Sequence, residues 1–481
     1  MNLLQTLLPP RVAATLTVWV VMHLVAVTPA AQDVLRPEPI TSDEPSVVLY
    51  ARTGWQWLDD DHFALIEPGM QLTFRDLSLG RDARAFGGGP LRFDLEIDLQ
   101  APLRLRFVDR APSDDGVLRR DDWNEPAEYL RWLSRIELGT PWGPLYLRTG
   151  DLANVRVGHG SQVDRVLNNL DMDHFRWGLH TAVNATRAGG TLMLDDVTRP
   201  TLFSTRLWAS PWAGTEAAAT LRSLAFGVTV TGDPSAPRAL AADPDGALLL
   251  DGRGRYIGLN EGFTGMLGFD LEAVVVRSER FRLTLYQDVN IHLTRGTGWH
   301  VGGSAGWAVS PTTVIELRGE LRVAGRGYAP GFFHGVYGAS RYQAQAPGAT
   351  APLRTFMAPH TTTLRTGYLV ELGIWSSRAL ELSWTMTGGS GAWDESMSLR
   401  IATPRGLPVH GALLWHLPLA ESWSRARVME RALAIAEVQV PVLDWLVVWA
   451  NAGRRFRSTA EPFYLPTHDY GAGVSFVWGN R

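Results

Sequence analysis

The segment VRVGHGSQVDRVLNNLDMDHFRWG, Val155 to Gly178, holds the densest set of polar and reactive side chains in the chain. Ser161, His159 and Asp164 have the residue types of a nucleophile, a base and an orienting carboxylate, although side chains this close in sequence rarely converge as a triad. Asp171, Asp173 and His174 offer oxygen and nitrogen ligands to a metal ion, without a fixed coordination set. A third reading is mechanical. Gly158 and Gly160 allow a sharp bend, and Val163, Val166, Leu167 and Leu170 lie at the spacing of a short amphipathic helix that needs a surface to pack on. An ordinary solvated loop is the fourth. A second motif, GGSAG at 302–306, matches the G-x-S-x-G of serine hydrolases, which places the serine on a strained strand-to-helix turn. Its context is a strand: Trp299, Val301, Ala305, Trp307 and Val309 share one face, Ser304 lies on the other, and no helix follows. Gly302, Ser304, Gly306 and Ala308 leave a nearly bare strip against which something bulky can pack.

The elements that would position these groups alternate with a period of two. In LRFDLEIDLQAPLRLRF, Leu91, Phe93, Leu95, Ile97 and Leu99 alternate with Arg92, Asp94, Glu96 and Asp98, giving one apolar and one charged face on a strand. Beyond Gln100-Ala101-Pro102, Leu103, Leu105 and Phe107 alternate with Arg104 and Arg106. A hairpin about Ala101 would set Asp98 opposite Arg104 and Glu96 opposite Arg106. RFRLTLYQDVNIHL repeats the pattern, with Arg282, Asp288 and His292 on the polar face, and TVIELRGELRV repeats it with Glu316, Arg318, Glu320 and Arg322. Runs this long match the ~9–11 residues needed to cross a bilayer at a tilt. Turn lengths alternate as well. Tight turns are expected near Ala101, Pro141, Arg187, Glu279, Pro311, Ser377, Arg405 and Val442, with longer connections at 76–90, 109–128, 152–172, 231–262, 324–360 and 455–467.

The N-terminus carries Arg11, an apolar run from Val12 to Val27 and the small-residue stretch Thr28-Pro29-Ala30-Ala31, the layout of a secretory signal peptide over 1–31. No later segment reaches the ~20 apolar residues of a transmembrane helix. The absence of cysteine excludes a disulfide framework and points to a bacterial envelope. All 45 basic residues are arginine, and the net charge of -4 gives no electrostatic case for nucleic acid. The 19 tryptophans, Trp132, Trp142, Trp299, Trp375, Trp445 and Trp478 among them, suit the two interfacial belts of a membrane protein. A soluble, exported sandwich or propeller would also alternate, but no repeat of ~40–50 residues is found.

These strands and the closing segment HDYGAGVSFVWGNR, where Tyr470, Ala472, Val474, Phe476 and Trp478 form one apolar face, resemble the Gram-negative outer-membrane β-barrel class. Unlike the usual pattern of that class, Gly479-Asn480-Arg481 follow the terminal aromatic. The expectation is an all-β, transmembrane antiparallel β-barrel of about 20 strands, an even number in the range of roughly 16–22, with an inward-folded external loop. It comprises a periplasmic segment at 32–61 and a barrel at 62–481. The expected function is a porin-like channel for passive diffusion of small polar solutes or ions, narrowed at 152–172 by Gly158, His159, Gly160, Asp164, Arg165, Asn168 and Asn169. Its lumen would be lined by Arg92, Asp94, Glu96, Asp98, Arg104, Arg106, Arg282, Asp288, His292, Glu316, Arg318, Glu320 and Arg322, whose opposed charges support weak ion preference. Expected partners are outer-membrane lipids and small polar solutes, with homo-oligomers allowed; no nucleic acid, cofactor or metal is expected. The rivals are an outer-membrane lipid hydrolase, using Ser161 or Ser304 with His159, and a structural or surface-interaction barrel with a plugged lumen.

Overall fold

The computed structural model describes residues 45–58, 61–79, 91–110, 116–141, 143–169, 175–244, 249, 257–293, 295–335, 337–341, 364–376, 380–389, 395–403, 410–419, 433–457 and 465–479. The expected signal peptide, the residues Asp171, Asp173, His174 and Trp142, and the turns at Ser377 and Arg405 lie outside these. In chain order the strands begin with β1 (Ser46–Leu58), β2 (Asp61–Leu79), β3 (Leu91–Gln100), β4 (Leu103–Val108), β5 (Leu133–Gly139) and β6 (Leu145–Gly150). Two short strands follow, β7 (Val155–Val157) and β8 (Val163–Val166). The series resumes with β9 (Gly178–Asn184), β10 (Ala188–Leu194), β11 (Phe203–Ala209) and β12 (Ala225–Ala236), then the two-residue pair β13 (Ala239–Leu240) and β14 (Gly258–Leu259). Next come β15 (Gly262–Arg277), β16 (Phe281–His292), β17 (Gly296–Ser310), β18 (Thr313–Ala324), the short β19 (Phe333–His334) and β20 (Arg365–Ser376). The last are β21 (Glu381–Gly389), β22 (Glu395–Ala402), β23 (His410–Leu419), β24 (Leu433–Leu443), β25 (Leu446–Arg457) and β26 (Leu465–Gly479).

All of these except β7, β8, β13, β14 and β19 belong to one antiparallel sheet. It closes where β26 pairs with β1, from Val48↔Gly479 to Leu58↔Asp469. With β3 and β4 end to end, the result is a closed ring of 20 strands. Closure gives every wall strand two neighbours, which lipid demands because it offers backbone amides no hydrogen bonds. Among the described residues no helix is long and apolar enough to cross a membrane.

The two faces of the wall differ as alternation requires. Along β16, Leu285 and Ile291 are exposed while Thr284, Tyr286, Asp288, Asn290 and His292 are buried. Along β18, Leu317 and Leu321 are exposed while Arg318, Glu320 and Arg322 are buried. Apolar side chains therefore face out and charged ones face each other inside. Trp299 and Trp307 are both exposed on β17, eight positions apart. That is about 27 Å along a strand, comparable to the ~25 Å apolar band of such barrels. Trp132, Trp445 and Trp478 are also exposed, and Phe476 stacks on both Trp445 and Trp478 at the rim that holds the chain's last described residues. Trp375 departs from the expected belt: it lies on the inward parity of β20, and its ring covers Gly373.

Two expectations are corrected. First, there is no hairpin at Ala101. β2 pairs with β3 through Gly69–Leu79 and with β4 through His62–Ile66, so the chain runs straight on, with Ala101 N–H donating to the Pro68 carbonyl at 3.1 Å. Alternation does not reveal direction: odd residues stay apolar whether a strand continues or folds back, and Gln-Ala-Pro lacks the Gly or Asn of a tight hairpin. Asp98 consequently accepts from Arg135 Nε of β5 at 2.8 Å rather than facing Arg104. Arg104 reaches Asp122 at 2.7 Å and Arg106 reaches Asp61 at 3.0 Å. Second, the wall starts at Ser46, inside the stretch expected to be periplasmic. Hence β2 ends and β3 begins at the same end of the barrel as Ser46 and Gly479, the end where β5 turns into β6 and β9 into β10, although 76–90 was expected among the longer connections that alternate with the tight turns. A bulge at Asp76, with φ of 51°, shifts the β2–β3 register just before that end.

At the other rim the segment after β4 folds back onto the wall. Asp122, fully buried, takes Arg104, Arg119 and Arg131 on one carboxylate oxygen at 2.7, 3.0 and 3.1 Å. Burial alone would raise its pKa, but the three guanidiniums outweigh it and hold the carboxyl down at about 2.

The chain has no cysteine of its own, so paired cysteines can test the straight β3–β4 path. Ala64→Cys with Leu105→Cys should form a disulfide under mild oxidation, because the two positions are ladder partners. Ile97→Cys with Leu105→Cys, which a hairpin would align, should not; the reverse result restores the hairpin.

Candidate functional site

The connection between β6 and β9 turns into the barrel as the β7–β8 hairpin. β8 then pairs in parallel with β19, which comes from the connection between β18 and β20, so two separate loops share one three-stranded sheet. The expected amphipathic helix is thus a hairpin. Val155, Val157, Val163 and Val166 bury one apolar face against Tyr328, Phe332, Phe333 and Tyr337 of the second loop and against Leu152, Met193, Leu202, Met266 and Ala324. Full burial of a Val or Phe contributes roughly 1.5–3 kcal/mol, so the cluster orders both loops at once. Leu167 continues across to Leu414, Leu433 and Ile435 on β23 and β24.

Gly158 and Gly160, with φ of 59° and 79°, shape the tip of the hairpin. They present His159 to the middle of the β15–β16 wall. One ring nitrogen lies 2.8 Å from Asp288 and the other 2.7 Å from Glu272. Ionised carboxylates only accept, so both nitrogens donate and the ring is an imidazolium. Burial alone would favour the neutral ring, but Asp288, followed by Glu272, outweighs it and lifts the His159 pKa to about 10. The ring stacks on Tyr286 at 4.1 Å between centroids and 9° between planes. Tyr286 in turn lies over Gly302, where a Cβ would strike its ring, so the bare strip on β17 receives a bulky side chain. The Tyr286 hydroxyl donates to Glu320 at 2.9 Å and accepts from Arg318 at 2.8 Å. Stacking is worth about 1 kcal/mol, whereas leaving buried charges without their partner costs about 3–5 kcal/mol. The ionic contacts therefore dominate the seating of His159.

A second knot lies on β18 and β20. Arg156 donates to both oxygens of Glu371 at 2.7 and 2.8 Å and to Asp164 at 2.6 Å. Arg165 reaches Glu371 at 2.9 Å and Arg318 reaches it at 3.3 Å. Burial would raise the Asp164 pKa, but Arg156, Arg165 and Arg318 hold it below the usual carboxylate range. The second loop is fixed by Tyr328, whose hydroxyl lies 2.8 Å from His300 and 3.3 Å from Asn290 Nδ2, and by Tyr337, which donates to Asp233 at 2.7 Å.

The residues expected to form the loop site divide into two groups. His159, Asp164 and Arg165 contact the wall. Asn168 and Asn169 instead tie the base of the loop: Asn168 Oδ1 accepts from Leu152 N–H at 2.8 Å, and its Nδ2 lies near the Gly150, Arg176 and Asp195 carbonyls. Of the expected lumen residues, Asp288, Arg318, Glu320 and Arg322 belong to these networks, and His292 meets Thr264 and the edge of Phe332. Arg92, Asp94, Glu96 and Asp98 pair with Asp76, Arg75 and Arg135 on neighbouring strands. Arg104 and Arg106 pair near the rim as described. Arg282 donates to Thr284 at 3.3 Å, and Glu316 sits half-buried on the inward parity of β18. The Ser161, His159 and Asp164 triad does not assemble, because His159 spends both nitrogens on carboxylates and Asp164 binds Arg156. Ser304 sits mid-strand between Thr284 and Arg318, with no nucleophile elbow. Sequence reasoning missed Arg156, Gln162, Glu272, Tyr286 and Glu371 as site residues, and it expected the second loop only as a long connection at 324–360, not its pairing with β8. The run FFHGVY at 332–337, an aromatic cluster within a long external connection, was the available signal.

No family model matches the chain, and neither does any curated protein sequence. Among solved structures, Acinetobacter baumannii OccAB4 overlaps 92% of this chain and 100% of its own at 9% identity and a TM-score of 0.33. Pseudomonas aeruginosa OccK11 (OpdR) overlaps 91% and 96% at 9% identity and 0.32. A loop-deletion mutant of OmpT, an outer membrane protein of Vibrio cholerae, overlaps 90% and 99% at 9% identity and 0.28. The barrel stands on its own strand pairing.

The seating of His159 has a definite pH sign. With its pKa raised from 6.5 to about 10, its contribution is complete below pH 6.5 and is lost as pH rises through about 10. Carbon-13 NMR of histidine-labelled protein, with the resonance assigned by His159→Gln, should show a ring titrating near pH 10. A midpoint between 6 and 7 would show that the ring is not clamped.

Proposed function

We propose that the chain is a Gram-negative outer-membrane channel that passes small polar solutes or ions by diffusion, its lumen narrowed by two external loops that fold inward together. The observation that carries this reading is the β7–β8–β19 sheet, which is tied to Glu272, Asp288 and Glu371 on one side and leans through Leu167 on β23 and β24 on another. A wall of 20 strands encloses far more width than side chains alone can fill, so the inward sheet sets the passage. Away from it the wall still carries paired charged and polar side chains. Arg75, Glu96, Asp98, Arg135 and Glu137 pair across β2, β3 and β5, while Ser383, Thr385 and Ser398 lie on β21 and β22. Balanced charge of this kind supports weak ion preference rather than a strong sign selection.

The rival reading of a sealed, structural barrel draws on the buried apolar cluster between the two loops. A lipid hydrolase fits less well, because no serine reaches an uncommitted base at either motif.

Purified protein in planar bilayers should give small, discrete conductance steps, and removing residues 161–170 should enlarge them at least about threefold. Unchanged steps would remove the narrowing role of the loop. Silence from both wild type and deletion would favour the sealed barrel.

A further inference from the structure

We infer that His159, Asp270 and Asp288 form a binding site for one divalent transition-metal ion, with zinc the best match, clipping the β7–β8 hairpin to the wall. Asp270 and Asp288 are direct ladder partners on β15 and β16, and like charges in that position repel. They persist because cations lie over them: Arg206 of β11 bonds both oxygens of Asp270 at 3.0 and 2.6 Å, and His159 meets Asp288. One ligand atom from each of His159, Asp270 and Asp288 lies within 4.8 Å of the others. The three border a small cavity together with Ser161, Gln162 and Asn290. Gln162 supplies an independent sign of a ligand. It is only 2% exposed, its Nε2 donates to Asn290 at 2.8 Å, and its buried Oε1 has no hydrogen-bond partner.

The histidine is already oriented for coordination. Glu272 holds Nε2–H at 2.7 Å, the carboxylate–histidine arrangement that fixes the tautomer of a metal ligand and leaves the other nitrogen for the ion. Nδ1 is the nitrogen on the Asp288 side. One imidazole nitrogen with carboxylate and amide oxygens is a borderline donor set that favours zinc over calcium or magnesium, which prefer oxygen alone. The exchange balances simply. The Nδ1–H bond breaks, its proton leaves to water, and the Nδ1 lone pair and one carboxylate oxygen each of Asp270 and Asp288 bond the incoming ion, Asp270 using a lone pair that its two Arg206 hydrogen bonds leave free; nothing is oxidised or reduced. The site is built whether or not the barrel conducts.

The test is equilibrium dialysis of the full chain in detergent against zinc chloride, with elemental analysis, and calorimetry in two buffers of different ionisation heat. One zinc per chain should bind, releasing about one proton. Asp288→Asn and His159→Gln should each weaken binding at least about tenfold, and Glu272→Gln should cost about 10-fold through the ring's orientation. Heat-modifiable gel migration reports whether each variant keeps its barrel. Gln162→Ala, which leaves every charge in place, should fold and should still lower the affinity. No stoichiometric zinc, no proton release from wild type, or undiminished binding in folded Asp288→Asn and His159→Gln would overturn the inference, the last by placing the ion on other acidic groups.

Discussion

Backbone pairing governs this molecule. Hydrocarbon cannot hydrogen-bond an amide, so a sheet that enters it must have no edge, and the β1–β26 register supplies the final seam. The seam fixes the rest. Each strand must show one parity to lipid and the other to the interior, and the interior face of a ring this wide is too polar and too far from the opposite wall to be covered by side chains alone.

That geometry explains why the interior is ionic and why its ions come in networks. A carboxylate on one strand can be answered by an arginine on the next, as Glu96 and Asp98 are by Arg135. Where the ladder puts like charges together, as at Asp270 and Asp288, the cation must come from elsewhere, and the hairpin delivers it as His159. Glu371 likewise takes Arg156 and Arg165 from the hairpin in addition to Arg318 from the wall. The loops are therefore part of the wall's electrostatics and not an addition to a finished barrel.

The parity of the strands was legible from the chain because lipid outside and charge inside leave a period of two that nothing local disguises. Leu285 against Asp288 and Leu317 against Arg318 read correctly for that reason. Direction was not legible at Ala101, since a strand that runs on and a hairpin carry the same alternation, and the choice is made by Pro68 and the neighbouring β2. The tip of the inward loop was legible through Gly158, His159 and Gly160, whose residue types announce a bend that carries a titratable group. Its secondary structure was not, because Val163 and Val166 fit a helical stripe or a strand over so short a run, and what decides is β19, some 170 positions later in sequence. Tyr286, Glu272 and Glu371 were unreadable as site residues because nothing local separates them from other inward positions; only the arrival of the loop singles them out.

The parallel pairing of β8 with β19 has a consequence for movement. The His159 and Arg156 contacts hold the hairpin to one side of the wall, while Phe333, fully buried, holds it to the second loop. Swinging the hairpin out alone would break the ionic contacts and expose Val163 and Phe333 together, adding roughly 3–6 kcal/mol of lost burial. Moving both loops as one body keeps the apolar cluster intact but must also release Tyr328 from His300 and Tyr337 from Asp233. Either route breaks several buried polar contacts at once, and these are strongly non-additive. The two loops therefore behave as a single cooperative element, so that a change at one ionic anchor alters the whole insert rather than loosening one arm of it.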